Sequence, residues 1–382
     1  MTQTLALFHD AYRELNSKRM FWITLVLSAL VVLSFGAVGI DEKGLSVLWW
    51  HIPSPFNSNM MAPGVFYRLL FTNLGIGFWL AWIATILALI STAGIFPDLV
   101  SSGSIELVLS KPIGRFRLFL TKYLTGLLFT ALQVGVFCLA SFLVIGFRGG
   151  VWDVRLFLAI PLVVLFFSYL FCVCVLIGLL TRSTIASLLL TLLAWFFFFG
   201  LNATDGVFVS LRENTQLRIE TRTDRIAKME KGTAQRMRKQ AEDKGDKIPD
   251  DRVITPAQLD EFNPILANAR RSLAEDQESL KTWTRWSRIF YTVKTATPKT
   301  SETVELLERW LVTEDELNRI RGPKEDEPLP DNDDLNISPK EQRARMTAAL
   351  RSRPVSWIIG TSLAFEAVVL GIAAWIFCRR DF

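Results

Sequence analysis

Few side chains in this sequence have the type and spacing that chemistry needs. The four cysteines, Cys138, Cys172, Cys174 and Cys378, all fall in apolar stretches. Cys172-Val-Cys174 points its two thiols at different helix faces, so the pair reads as small buried apolar groups and not as a metal clasp or a disulfide. His9 and His51 flank the first apolar stretch on opposite sides and cannot share a metal. No Gly-x-x-x-x-Gly-Lys-Ser/Thr occurs, so nucleotide phosphates have no glycine-rich cradle. Nucleophile elbow, zinc-binding helix and cofactor motif are missing too, and no enzyme, cofactor or metal site is expected. The sharpest polar group is Glu366, a lone carboxylate near the middle of the last apolar stretch. Such a group costs roughly 2.5–3.5 kcal/mol at a bilayer centre and must face a helix bundle or a wet cavity. Gln133, Ser168 and Tyr169 are the polar residues available to meet it. Glu366 and Gln133 are candidate translocation-path or gating residues.

The elements that must position these groups are membrane spans. Of 382 residues, 51% are hydrophobic, with 12 Trp and 28 Phe. Several apolar runs reach the ~20 residues that cross a hydrocarbon core. The net charge of +5 fits basic flanks of spans; no nucleic-acid partner is expected. The first run follows Arg13, Lys18 and Arg19 and is too long for a signal-peptide core, so it reads as an uncleaved span. Expected spans are Met20–Ile40, Leu69–Phe96, Tyr123–Phe147, Arg155–Leu180, Ile185–Leu201 and Trp357–Phe377. Residues 41–68 read as an outer loop broken by Pro53, Pro55 and Pro63, with Trp49 and Trp50 as interfacial anchors. Gly149-Gly150 reads as a tight turn and Pro161 as a tolerated kink. Six spans put both termini on one side, which Arg379-Arg380 marks as cytoplasmic. Arg351 and Arg353 fall on the other side, against the charge rule, which weakens for long loops.

Residues 1–18 carry Leu5, Phe8, Tyr12 and Leu15 at helical spacing, as an amphipathic interfacial helix would. Between the second and third spans, residues 97–118 hold Lys111, Arg115 and Arg117, and Lys122 follows. A short basic loop belongs on the cytoplasmic side. Ser104–Ser110 predicts a short helix stopped by Pro112. Ile105, Leu107, Val108 and Leu109 surround Glu106, an apolar patch that calls for a bilayer or a protein partner.

The stretch reads Asp98, then Gly103-Ser104-Ile105-Glu106-Leu107, then Ser110-Lys111-Pro112-Ile113-Gly114-Arg115, then Lys122. It resembles the permease subunit of ABC-2 type ABC transporters over residues 1–201 and 357–382. The resemblance implies an all-α fold with six transmembrane helices of the ABC-2 exporter type and an elbow helix at residues 1–18. It also implies a coupling element that docks on a separate ATPase subunit, carried by Gly103, Ile105, Glu106, Leu107, Leu109, Lys111, Pro112 and Arg115. Two ATPase copies and a second permease copy, identical or paralogous, are the implied partners, alongside membrane lipid. The implied location is the cytoplasmic (inner) membrane, multi-pass, with both termini cytoplasmic. The implied function is the membrane-spanning half of an ATP-driven transporter, an exporter. The alternative is an ABC-type transducer that moves no substrate and drives an outer domain against an envelope partner.

Residues 202–356 lie between transmembrane helices five and six and are not covered by the resemblance. They read as a helical extracytoplasmic insert, with 357–382 as the sixth span and a short tail. Asn263-Pro264 predicts a capped helix start, after which Leu266, Ala269, Leu273, Leu280, Trp283 and Phe290 make a seam interrupted by Asp276 and Ser287. Ile219, Ile226, Met229 and Met237 predict a thinner seam on a preceding helix, and together a helical hairpin. Thr313–Arg321 and the stretch after Ser338-Pro339 predict two further helices, with an acidic linker at 324–336.

Overall fold

The computed structural model describes residues 19–42, 44–53, 58, 61–101, 114–243, 254–311 and 337–379. The amphipathic segment 1–18, the greater part of the coupling segment (102–113), the helix expected over Thr313–Arg321 and the linker 324–336 lie outside the described residues. Six helices are long and apolar enough to cross a membrane: Met20–Ala37, Pro63–Val100, Arg115–Gly149, Val154–Thr181, Thr184–Asp243 and Val355–Arg379. The fold is predominantly helical, as expected, and its six long apolar helices are consistent with a multi-pass membrane protein. The chain divides into two compact units, one of residues 1–202, 295–322 and 355–382, the other of 203–294 and 323–354.

The first unit begins with α1 (Arg19–Ala37), which gives way to a three-stranded antiparallel meander, β1 (Val38–Asp41), β2 (Gly44–Val47) and β3 (Trp50–Pro53). Hydropathy does not foretell this sheet. Val47 pairs with Trp50 across a two-residue turn in which Leu48 takes a positive φ of 56°. Trp49 and Trp50 are exposed, as an interfacial anchor requires. The second span joins α2 (Pro63–Leu70), wide turns over Phe71–Ala84, α3 (Thr85–Thr92) and α4 (Ile95–Ser101). The break at Ala93-Gly94 leaves Pro97 in the first turn of α4, where a missing N–H costs no helical bond.

The third span, α5 (Arg115–Gly149), ends where Gly150 adopts the left-handed φ of 67°, the turn expected from Gly149-Gly150. The fourth is a 3-10 turn (Val154–Leu158) leading into α6 (Ala159–Thr181). Pro161 sits in the first turn of α6, so the turn preceding it takes the place of the expected kink. The fifth span opens α7 (Thr184–Asp243), an unbroken helix of 60 residues, and the sixth is α12 (Val355–Arg379).

Two buried layers organise the spans. One gathers Phe96 and Leu99 from the end of the second, Leu118 and Phe119 from the start of the third, Leu179 from the end of the fourth and Phe377 from the end of the sixth, with Phe21 packed against them. The other gathers Val32 and Phe35 from the end of the first, Tyr67 and Phe71 from the start of the second, Ile145, Leu156 and Ile358. Neighbouring spans therefore run in alternate directions, and the start of the first shares a layer with the end of the sixth. The second layer also takes in α10 (Thr300–Leu311). Thr300, Thr303, Leu306, Leu307 and Leu311 form its buried face, and residues 295–322 group with the spans rather than with the polar insert.

In the second unit, α7 beyond Asn202 pairs antiparallel with α9 (Pro264–Thr295), and α8 (Pro256–Phe262) closes the far end. Asn263 caps α9, its Oδ1 accepting from the Ile265 and Leu266 amides at 3.2 and 3.4 Å. Ile226, Leu259 and Leu266 make the buried core, with Met229, Met237 and Leu273 against it. The two polar interruptions of the α9 seam have separate explanations. Asp276 receives Arg222 at 2.9 Å and Arg218 at 3.5 Å from α7, and Ser287 is small enough to be buried in the contact. Phe208 stacks on Phe290 at 4.9 Å. The last helix of this unit, α11 (Pro339–Arg351), sends Arg345 to Glu220 of α7 at 2.6 Å.

Candidate functional site

Glu366 lies on the buried face of α12, together with Ile358, Ser362, Ala373 and Phe377. That face packs mainly on α6 and secondarily on α5. Both carboxyl oxygens are engaged. Tyr123 of α5 donates its hydroxyl to Oε1 at 2.7 Å, and Ser168 of α6 donates to Oε2 at 2.8 Å. The Tyr123 hydroxyl also lies 3.3 Å from the Ser168 carbonyl. Tyr123 is held by its ring, which stacks on Phe171 at 5.2 Å and 13°. Phe171 can approach α5 because residue 126 is glycine; a Cβ there would fall 2.5 Å from the Phe171 ring. A helix contact dictated by one glycine thus sets the position of the hydroxyl that meets Glu366.

A second buried polar group lies one turn away. Ser362 precedes Glu366 by four residues on the same face of α12. Its Oγ accepts the Lys299 amide at 2.9 Å and donates to the Ile358 carbonyl at 2.7 Å. Lys299 itself is fully buried; its ammonium donates to the carbonyls of Thr295 and Thr297 at 2.8 Å and sits 4.9 Å from the Trp357 ring centre. The next turn of α10 begins with Thr303, whose hydroxyl donates to the Lys299 carbonyl at 2.7 Å. The Tyr169 hydroxyl, buried on α6, has no hydrogen-bond partner among the described residues and does not meet Glu366. Two separate polar contacts, one turn apart on α12, therefore tie this helix to its neighbours: Ser362 to Lys299 just before α10, and Glu366 to α5 and α6. What the arrangement can do chemically is hold four helices in one relative position; no metal-ligand cluster occurs among the described residues.

The far end of α10 is fixed by charge. Arg68 donates to the Leu311 carbonyl at 3.0 Å and Arg155 approaches the Trp310 carbonyl at 3.4 Å, cations at the negative end of a helix. Asp153 joins the two arginines, gripped by Arg155 through 2.9 and 2.8 Å contacts and 3.9 Å from Arg68. The Arg155 hydrogen bond holds the Asp153 carboxyl below its usual range, against the opposing effect of burial.

Of the sequence candidates, Gln133 is buried on α5 ten residues beyond Tyr123, about 15 Å along the axis. No hydrogen bond joins it to Glu366, and its Nε2 has no hydrogen-bond partner among the described residues. Arg115 donates to the carbonyl of Cys378 at 3.1 Å and ties the start of the third span to the end of the sixth. Asp98, on the other side of the coupling segment, accepts from Thr184 at 3.4 Å, at the turn between the fourth and fifth spans. Gly103, Ile105, Glu106, Leu107, Leu109, Lys111 and Pro112 lie outside the described residues. Tyr123 and Lys299 carry no local signal that marks them as partners of α12, whereas Ser362 was open to reading through its four-residue spacing from Glu366.

Comparison of the chain with protein-family models, with curated protein sequences and with solved structures finds no match in any of the three.

Proposed function

We propose that this chain is the membrane-spanning subunit of an ATP-driven transporter of the ABC-2 type, working as a pair and powered by two copies of a separate ATPase. What supports the reading is the setting of residues 97–118. The segment is short and basic, it joins two spans, and both of its roots are bonded to other spans, Asp98 to Thr184 and Arg115 to Cys378. A push at either root would then be felt at the fourth-to-fifth turn or at the end of the sixth span. The sequence carries no Gly-x-x-x-x-Gly-Lys-Ser/Thr cradle, and in this reading the energy enters through a contact of this kind. In this reading the layer holding Phe96, Phe119 and Phe377 faces the cytoplasm, and residues 202–356 are extracytoplasmic.

A second reading, a transducer that moves no substrate, is favoured by one observation. Both Glu366 carboxyl oxygens already accept a hydrogen bond from a neighbouring span, Tyr123 on one and Ser168 on the other. The contacts of α12 then serve to carry motion between the spans and α10. The test of the shared part of both readings is co-expression with a P-loop ATPase encoded beside this chain, followed by purification on a tag carried by this chain. Co-purification with ATPase turnover raised by this chain supports it; purification of this chain without an ATPase, in lipid as in detergent, counts against both.

A further inference from the structure

We propose that Asp205, Lys294 and Arg353 form a clamp at the root of the second unit, which makes that unit respond as one body to displacement of the fifth or sixth span. The chain enters the unit at Ala203, leaves it after Lys294 and leaves it again after Pro354; the remaining passage, at 322–323, lies outside the described residues. Each of the three described passages carries one member of the clamp within two residues of it. Lys294 Nζ lies 2.8 Å from Asp205 Oδ2, and Arg353 Nη2 lies 2.6 Å from the same oxygen. The side chains are 4%, 1% and 9% exposed for Lys294, Asp205 and Arg353, so water and salt screen these contacts little. Tyr291, one turn before Lys294, lies under the Arg353 guanidinium at 5.8 Å.

Three passages meeting on one carboxylate oxygen is an arrangement that fixes position. Buried ion pairs add little stability over apolar packing, but removal of one partner takes that contact from the others at a large cost in general. Asp205 belongs to the same unbroken helix as the fifth span, and Arg353 precedes the first residue of α12 by two. Movement of either helix therefore pulls on the other two passages through Asp205. The clamp also accounts for Arg353 standing where the charge rule disfavours a cation: its charge is engaged by Asp205.

The test is hydrogen–deuterium exchange on the full chain in lipid nanodiscs. Asp205→Ala is expected to speed exchange at least tenfold in residues 203–208, 290–295 and 349–361 together, with the core at 226–237 and 259–273 unchanged. Arg353→Gln, which leaves Asp205 and Lys294 paired, is expected to speed only 349–361 to that extent. Faster exchange confined to 203–208 in Asp205→Ala would overturn the clamp, as would unchanged exchange at 349–361 in Arg353→Gln. Should Asp205→Ala fail to accumulate, the Arg353→Gln result decides alone.

Discussion

Tyr123→Phe deletes one hydroxyl and leaves the ring stacked on Phe171 at 5.2 Å, so the perturbation is confined to the 2.7 Å bond to Glu366 and the 3.3 Å contact with the Ser168 carbonyl. A buried acceptor stripped of its donor costs about 1–3 kcal/mol. A loss of ~2 kcal/mol corresponds to a shift of roughly 30-fold in the folding equilibrium. Interhelical hydrogen bonds within bilayers average about 0.6 kcal/mol, because the unfolded chain finds other partners there. A value above that average marks Glu366 as an acceptor held in place by its surroundings. The assay is unfolding in mixed micelles of rising SDS fraction, followed by tryptophan fluorescence, with Tyr123→Phe made in the wild-type and the Glu366→Ala backgrounds. In the second background the loss should fall to less than half, since the acceptor has gone. Glu366→Gln, which keeps an acceptor for Tyr123, should be milder than Glu366→Lys, which turns a cation toward two hydroxyl donors. Equal losses from Tyr123→Phe in the two backgrounds, or a loss below about 0.5 kcal/mol, would refute the reasoning.

Two further outcomes are expected. In intact cells a cysteine at Ser279 should react with a membrane-impermeant thiol reagent and one at Ser102 should react only after permeabilisation; the reverse pattern inverts the orientation. Asp153 titrates below its usual value of 3.8 because of Arg155, so its contribution is complete above that value and disappears as the pH falls through the lower folded-state value. The thermal-stability gap between wild type and Asp153→Asn should therefore be constant from pH 7 to about 5 and close below about 4; a gap that persists unchanged in acid would show that Asp153 does not act through its charge.

The spans were legible because twenty apolar residues leave a chain few options besides a helix in a bilayer. Their ends were less so: hydropathy stops the fifth span at Leu201, yet α7 continues to Asp243 because helix propensity does not change where the apolar residues stop. The hairpin of the second unit followed from its seams, and Asp276 reads as an interruption only until Arg218 and Arg222 are seen across from it. Two features were out of reach. The amphipathic α10 is only 12 residues long, too short to announce a place among the spans. The partnership of Tyr123 with Glu366 joins residues 243 positions apart, and it depends on the closeness of α5 and α6 at Gly126, which no local pattern encodes. Arg353 is the converse case, a charge whose sequence position misleads because its partner, Asp205, is remote.

The claim on which the functional account rests is that residues 97–118 receive the force of an ATPase. The most direct measurement is complex formation and stimulated ATPase turnover for Leu107→Asp and Glu106→Arg, with abundance of the chain in the membrane as the control. An unpaired charge at the centre of an interface costs a few kcal/mol of association, so each variant should weaken the complex at least tenfold and lose stimulation while remaining at normal abundance. Wild-type complex formation and wild-type stimulation in both variants would contradict the account and leave the segment an interfacial loop with no role in coupling.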